Sequence, residues 1–106
     1  MVAQLEHLNV TVPDAKATAQ VLTDLFDWHV RWQGPAKDDG FSVHVGDETS
    51  YLALYTPGWD LKPEAQRYHH AASMNHIGVV VEDIKATEAR VIAAGYKPHS
   101  HDDYEP

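Results

Sequence analysis

The sequence predicts an α+β fold, in which one sheet carries helices on a single face and leaves the opposite face free. Two observations lead to this prediction. Residues 7–18 (HLNVTVPDAKAT) recur as residues 76–87 (HIGVVVEDIKAT) at a constant offset of 69 positions. In addition, the strands of the first half carry apolar residues on one face only, which is typical of a sheet that is covered on one side. The expected architecture is a pair of βαβββ units forming one curved mixed sheet.

The repeat is too close for chance. Seven of its twelve aligned positions are identical, where about one match is expected at random. Each copy begins with a histidine, His7 or His76, at the same position of its strand. A pseudo-symmetric fold brings equivalent positions to one site, so we expect these two side chains to approach each other. The second copy begins 69 positions after the first and the sequence ends at Pro106, so we expect its unit to be incomplete.

The first unit, residues 1–56, is predicted from alternation and turn signals. Along residues 5–12, Leu8, Val10 and Val12 point to one face, because successive side chains of a strand alternate. Asp14 is the expected N-cap of the helix that follows, since its side chain can accept a backbone hydrogen bond. The other strands are expected at residues 28–32, 41–45 and 50–56, with a loop over residues 34–40.

The second part of the chain is expected to repeat the front half of this unit. Residues 57–73 form a polar connection with a short helical turn near residues 63–68. Residues 74–106 then supply a strand over residues 75–81 and a helix from about 83 to 94. Gly95 suits the left-handed position that ends a helix, and a further strand is expected to begin near Tyr96.

Composition and charge exclude several functions. The formal net charge is −8 with no Lys/Arg cluster, which argues against nucleic-acid or anionic-membrane binding. The chain contains no cysteine, so disulfides and thiolate metal sites are excluded and a reducing cytoplasm is expected. No stretch approaches the length of a membrane span, and 43% hydrophobic residues suffice for a packed core.

Paired βαβββ units with a histidine on each first strand resemble the vicinal oxygen chelate superfamily, which contains glyoxalase I, bleomycin-resistance proteins and extradiol dioxygenases. The resemblance rests on LEHLNVTVPD to YLALYTP and on NHIGVVVEDIKATEARVIAAGY. It implies that His7 and His76 are metal ligands. The position where glyoxalase I members carry a glutamate ligand is Ala53 here, and alanine cannot bind a metal. The implied substrate pocket on the free face contains Asn9, His44, Tyr51, Ala53 and Tyr55.

The resemblance implies two alternative functions, and the sequence alone does not decide between them. The first is a metal-dependent small-molecule enzyme, a lyase, isomerase or dioxygenase. Two imidazoles and a carboxylate would hold Fe, Ni, Zn, Mn or Mg and leave positions for a substrate with two adjacent oxygens. The second is a metal-free module that binds a small molecule, as in the bleomycin-resistance branch; an inactive relic is a third alternative. With Ala53 in place of a ligand, we expect weak or no metal binding by this chain. Unpaired strand edges favour a homodimer or a strand-exchanged oligomer.

Aromatic residues and the remaining histidines leave further alternatives. Trp28 and Trp32 are expected on one face of the second strand, and Phe26, Trp28 and Trp59 are expected in the core or an interface. His44 can line the pocket or lie on the surface as a cross-strand residue. Tyr51 and Tyr55 can bind a ligand or simply pack on the sheet.

Overall fold

The structure, a computed structural model, describes residues 1–62 and 66–99. The first unit folds as predicted into one strand, one helix and three further strands, and the fold class is α+β. Its elements are β1 (His7–Thr11), α1 (Ala15–Phe26), β2 (His29–Ala36), β3 (Gly40–Gly46) and β4 (Tyr51–Thr56). A 3₁₀ turn (Arg67–His69) and the helix α2 (Ile84–Ala93) follow.

The four strands form one mixed, curved sheet in the order β1-β4-β3-β2. β1 runs parallel to β4, whereas β3 is antiparallel to both β4 and β2. The parallel pair requires a crossover, and α1 provides it. Because the strand order places β1 and β2 at the two edges, the central strands β3 and β4 carry the buried part of the sheet.

The core lies between α1 and the two central strands. Ala15 and Ala19 are one helical turn apart on α1 and are each 2% exposed, which lets the helix approach the sheet closely. They pack against Val43, Val45 and Leu54. Partly buried apolar side chains complete this layer, namely Val10, Val12, Leu22, Trp28, Phe41 and Leu52. The alternation predicted for β1 is therefore confirmed for Val10 and Val12, whereas Leu8 stays 47% exposed at the sheet edge.

Each of the two α-helices begins at an aspartate N-cap that forms a local hydrogen bond. The Asp14 carboxylate accepts a hydrogen bond from the Ala17 amide at 3.0 Å, and Asp83 does the same for Ala86 at 3.0 Å. These are equivalent positions of the repeat, and both act as N-caps. Gly95 follows α2 with a φ of +98°, which is the left-handed conformation expected of it.

Several predicted boundaries are wrong. β2 extends through Ala36, so the predicted loop over residues 34–40 shrinks to a turn at residues 37–39. Pro35 fits there because β2 is an edge strand, where a missing amide donor costs little. The strand expected over residues 75–81 does not form, and among residues 66–99 the only regular elements are the 3₁₀ turn and α2. A strand exists only through hydrogen bonds to a neighbour, and no strand lies beside this segment within the described residues. Residues 96–99 likewise carry no strand, and residues 100–106 lie outside the described part.

The second copy packs against the first through α2 rather than through a strand. The Arg90 guanidinium donates to the backbone carbonyl of Leu25 at 3.3 Å and to the Asp27 carboxylate at 3.2 Å. Leu25 and Asp27 form the C-terminal end of α1, where carbonyl groups lack helical partners. None of the α2 residues is buried, so this contact is polar and superficial.

Candidate functional site

The candidate site begins on the face of the sheet opposite α1, called here the open face. The register places His7 beside Tyr51, Asn9 beside Ala53 and Thr11 beside Tyr55. On the other side of β4, His44 pairs with Ala53 and Ser42 pairs with Tyr55. The sequence-predicted residues that share this face are His7, Asn9, His44, Tyr51, Ala53 and Tyr55.

Four rings form a continuous row across the open face, called here the aromatic ladder (His7, Tyr51, His44 and Trp32). His7 stacks on Tyr51 with ring centroids 4.9 Å apart and an angle of 15° between the planes. Tyr51 stacks on His44 at 4.8 Å and 23°, and His44 meets Trp32 at 5.0 Å and 56°. The ladder crosses all four strands, one ring from each, and such contacts favour these rotamers beyond simple burial.

A β-bulge in β2 brings Trp32 to the open face. Val30 pairs with Val45 and Trp32 pairs with His44, so two steps along β2 match one step along β3 and Arg31 is the extra residue. Without the bulge, Val30 and Trp32 would share the core face. The prediction that Trp28 and Trp32 share a face is therefore wrong: Trp28 packs against the core, whereas Trp32 is 50% exposed beside His44.

The bulge also directs Arg31 toward the ladder. The Arg31 guanidinium lies 4.4 Å from the centroid of the Tyr51 ring and donates a long hydrogen bond of 3.4 Å to the Asp47 carbonyl. A cation over the face of an aromatic ring is attracted by the negative potential of that face. Desolvation lowers the pKa of the His44 imidazole, and the nearby charges of His7 and Arg31 lower it further. The ladder thus holds His44 in its neutral form.

Negative charge lies at the margin of the open face, where the Glu6 carboxylate contacts His7 and the Glu48 carboxylate contacts His29. None of the strand residues of this face is Asp or Glu; they are His7, Asn9, Thr11, His29, Arg31, Trp32, Gly34, Ala36, Gly40, Ser42, His44, Gly46, Tyr51, Ala53 and Tyr55. The whole chain carries 16 acidic residues and a formal net charge of −8. The nearby Asp47 carboxylate accepts hydrogen bonds from the amides of Ser50 and Thr49, and these bonds together with the Arg31 charge lower the pKa of Asp47. On the strands of this face themselves, the groups that can carry charge are basic ones, apart from the tyrosine phenols.

A cavity of about 270 Å³ adjoins the first ring of the ladder. We call it the His7 cavity; it is bordered by His7 and Tyr51 from the sheet and by Ile77 and Gly78 from the second copy of the repeat. Its remaining lining residues are Leu5, Glu6, Leu8, Trp28, Gly46, Asp47, Ser50 and Leu52. Its mixture of apolar walls with a few polar groups is typical of a small-molecule site, and its volume lies just below the usual range of such sites.

The arrangement of the histidines determines which of them can bind a common metal ion. The Nδ1 atom of His7 lies 3.0 Å from the Glu6 carboxylate, and donation from Nδ1 leaves the lone pair of Nε2 available to bind a metal ion. His76 is exposed in a segment without strand structure, next to the Ile77 that borders the His7 cavity. His44 cannot join His7 on one ion in this arrangement, because the Tyr51 ring stacks on both imidazoles from the strand between them.

The described residues do not fit a closed metal site. Ala53 occupies the strand position where the resemblance implies a ligand, and it is 3% exposed with no donor atom. Within residues 1–62 and 66–99, no group of three or more His, Cys, Asp or Glu side chains is placed to hold a metal ion. Two imidazoles alone supply too few ligands for a stable site.

Tyr55 is tied to the protein at the far end of the open face. Its hydroxyl donates to the Lys37 carbonyl at 3.0 Å. Desolvation and the nearby Asp38 charge raise the pKa of the Tyr55 phenol, so it stays protonated. Of the two predicted pocket tyrosines, Tyr51 is part of the ladder and borders the His7 cavity, whereas the Tyr55 hydroxyl is hydrogen-bonded to the β2–β3 turn.

Two residues of the site, Arg31 and Trp32, escape prediction from sequence. Strict alternation assigns Trp32 to the core face and gives Arg31 no role, because a bulge breaks the period of two. The available signal is Gly34: a Cβ atom there would lie 2.8 Å from Cζ2 of Trp32. A glycine two residues after a tryptophan on a strand indicates that the indole can lie over the backbone.

Comparison with solved structures shows three similar folds. SMU.1112c has a TM-score of 0.77 at 18% identity, with 98% of this chain and 85% of that chain covered. The trypanothione-dependent glyoxalase I of Leishmania major has a TM-score of 0.73 at 19% identity, with 96% and 73% covered. A mutant of the fosfomycin resistance protein FosX from Listeria monocytogenes, complexed with Mn(II) and 1S,2S-dihydroxypropylphosphonic acid, has a TM-score of 0.68 at 17% identity, with 98% and 79% covered. At these identities the likeness shows the fold alone.

Comparison with curated proteins gives no significant match. Within the described residues, no helix is both long enough and apolar enough to cross a membrane. The family model for the glyoxalase/bleomycin resistance protein/dioxygenase superfamily matches residues 4–102, which is nearly the whole chain. This match agrees with the resemblance inferred from the repeated His-containing strand. The chain belongs to the glyoxalase/bleomycin resistance protein/dioxygenase superfamily.

Proposed function

We propose that this protein is a small-molecule-binding member of its superfamily, and that its ligand occupies the His7 cavity and extends onto the aromatic ladder. The observation that carries the proposal is the continuity of the two features. His7 and Tyr51 border the cavity and also form the first two rungs of the ladder. A mostly apolar recess with a few polar groups at one side is the usual form of a ligand site.

Ligand mapping tests this proposal. Amide and side-chain NMR shifts are recorded while a chemically diverse set of small fragments is added to the ¹⁵N-labelled chain. We expect binders to perturb Tyr51, Ile77 and the His7 imidazole. Tyr51→Leu should abolish those shifts, because the ring is shared by cavity and ladder. Tyr68→Leu is the matched control, since Tyr68 is 77% exposed on the 3₁₀ turn. Binding that maps elsewhere, or is equally sensitive to both variants, would contradict the proposal.

A metal-dependent enzyme is the second candidate, with His7 and His76 as ligands. Two observations favour it: the Glu6 carboxylate holds Nδ1 of His7 and leaves Nε2 free, and residues next to His76 border the same cavity as His7. Two histidines are a minimal set, so we expect affinity for a divalent ion to be weaker than micromolar.

Titration calorimetry separates the two candidates. Nickel, zinc and anaerobic ferrous iron are titrated into the chain and into a His7→Ala/His76→Ala double variant. A His29→Ala/His69→Ala double variant controls for loss of two exposed histidines elsewhere. Sub-micromolar binding that the first variant loses and the second keeps would favour the enzyme over the binding module.

A further inference from the structure

The indole of Trp32 forms a flat, accessible surface on the open face. A Cβ atom at Gly34 would come within 2.8 Å of Cζ2 and 3.2 Å of Cη2 of Trp32, so the ring lies over the bare backbone of Gly34. Trp32 is nevertheless 50% exposed. One side of the ring therefore rests on β2 and its neighbour His44, while the other side faces solvent. Aromatic ligands stack on such surfaces.

The same surface carries a cation that takes part in none of the described ion pairs. The charge of the Arg31 guanidinium lowers the pKa of the nearby Asp47 carboxyl, but that carboxylate accepts its hydrogen bonds from Thr49 and Ser50. The guanidinium contacts the Tyr51 ring at 4.4 Å and the Asp47 carbonyl at 3.4 Å, and these contacts leave donors of the guanidinium free. A guanidinium prefers a carboxylate that it can bind with two parallel hydrogen bonds. Arg31 is the residue inserted by the bulge next to Trp32, so stacking surface and cation are adjacent.

We infer that the open face recognises a flat aromatic carboxylate, which stacks on Trp32 and places its negative charge at Arg31. This inference rests on the proposed function, since it names the ligand class of the same site. The absence of Asp and Glu from the open-face strand positions supports it. In a chain with a net charge of −8, an anion is repelled least where carboxylates are absent, and it is attracted by the Arg31 guanidinium.

Three matched probes test the ligand class. The first is 2-naphthoate, which is flat and anionic; 2-naphthamide is flat and neutral; cyclohexanecarboxylate is anionic and not flat. Calorimetry and NMR titration of the whole chain give affinity and location. We expect 2-naphthoate to bind about tenfold more tightly than either analogue, because each analogue lacks one of the two interactions. Equal affinity for 2-naphthoate and 2-naphthamide would overturn the role of charge, and equal affinity for the two carboxylates would overturn stacking.

Variants locate the interaction. Arg31→Gln and Trp32→Leu should each weaken 2-naphthoate about tenfold. Gly34→Ala keeps both side chains and forces the indole from its position, so it should weaken binding while leaving the far-UV circular dichroism unchanged. Trp59→Leu is the control, because Trp59 is 57% exposed on the connection after β4 and should change affinity less than twofold. A loss at Trp59 as large as the loss at Trp32 would overturn the inference.

The outcomes separate this inference from the proposed function. If fragments bind in the His7 cavity while 2-naphthoate shows no preference over its analogues, the proposed function stands and the ligand class is wrong. If neither fragments nor 2-naphthoate perturb the open face, both are wrong.

Discussion

The bulge in β2 predicts that one residue can be deleted from this strand without loss of register. Val30 pairs with Val45 and Trp32 pairs with His44, so removing Arg31 leaves a regular one-to-one ladder and keeps Trp32 on the open face. Removing Gln33 instead also restores a regular ladder. In that case Arg31 would pair with His44, and Trp32 would move to the core face, opposite Val43. The two deletions have the same length and opposite consequences for Trp32.

The magnitudes follow from the contacts that each deletion removes. Deleting Arg31 loses a cation–ring contact, about 0.5–1 kcal/mol at an exposed site, and a long 3.4 Å hydrogen bond. Deleting Gln33 loses the contact of Trp32 with His44, about 0.5–1.5 kcal/mol. It also moves the indole from the backbone of Gly34 into the recess of about 400 Å³ that Gln33, Ala19 and Val43 border, where the ring can be accommodated. Each deletion should therefore cost about 1 kcal/mol, and the two variants should differ in the face on which Trp32 lies rather than in stability.

Urea unfolding and NMR measure both consequences. For a small domain, a loss of about 1 kcal/mol lowers the urea midpoint by about 0.5 M, and we expect this loss for each variant relative to the unaltered chain. The Arg31 deletion should retain nuclear Overhauser contacts between the Trp32 indole and the His44 ring, and the Gln33 deletion should replace them with contacts to α1. Loss of the Trp32–His44 contacts in the Arg31 deletion would refute the assigned register. A loss of more than about 1 M in the urea midpoint of the Arg31 deletion would also contradict it, because that deletion should remove only exposed contacts.

Three further predictions concern pH, helix capping and assembly. The pKa of His44 is lowered in the folded state, so the unfolded state binds the proton more tightly. The contribution of His44 to stability is therefore fully present above about pH 6.5 and falls as the pH decreases below that value. His44→Gln should flatten this dependence in thermal melts at pH 5–8, and an unchanged slope would contradict the prediction. Asp14→Ala should cost about 1 kcal/mol of folding stability and lower the melting temperature by about 4–8 °C. Asp14→Asn should cost little, because Asn retains the capping oxygen. An equal loss of stability in both variants would exclude capping as the cause. We also expect a dimer or strand-exchanged oligomer, since β1 and β2 are open edges of the sheet; light scattering after size exclusion at micromolar concentration checks this, and a sharp monomer peak would count against it.

The first unit could be predicted because its signals are local or strictly periodic. Asp14 and Asp83 cap their helices through hydrogen bonds to residues three positions ahead, and this requires no distant partner. Alternation on β4 placed Tyr51, Ala53 and Tyr55 together on one face, as the register bears out. The faces of β1 followed from the same rule, with Val10 and Val12 toward the core.

The bulge could not be predicted in this way, because it depends on pairing between two strands. Residues 28–32 are predicted as a regularly alternating strand, and nothing in WHVRW marks Arg31 as the extra residue. Only the register against β3 shows that the alternation slips there. The ring contacts of the ladder depend on that slip, and so Trp32 and Arg31 were absent from the predicted site.

The two copies of the repeat show the same difference between structure that forms from local signals and structure that needs a neighbouring strand. Their sequences agree at seven of twelve positions, yet the first copy forms a strand and a helix, whereas the second forms only the helix in the described structure. The helix needs its own cap and its own backbone bonds, which both copies supply. The strand needs a neighbour, and β1 has β4 whereas residues 75–81 pair with no strand among the described residues. The difference affects the two histidines directly. The position of His7 is fixed by its strand and by the Tyr51 ring. His76 would acquire an equally fixed position only when a strand pairs with its segment. Metal affinity should therefore be measured at several protein concentrations, since the expected pairing between chains would supply that strand and would raise the affinity with concentration.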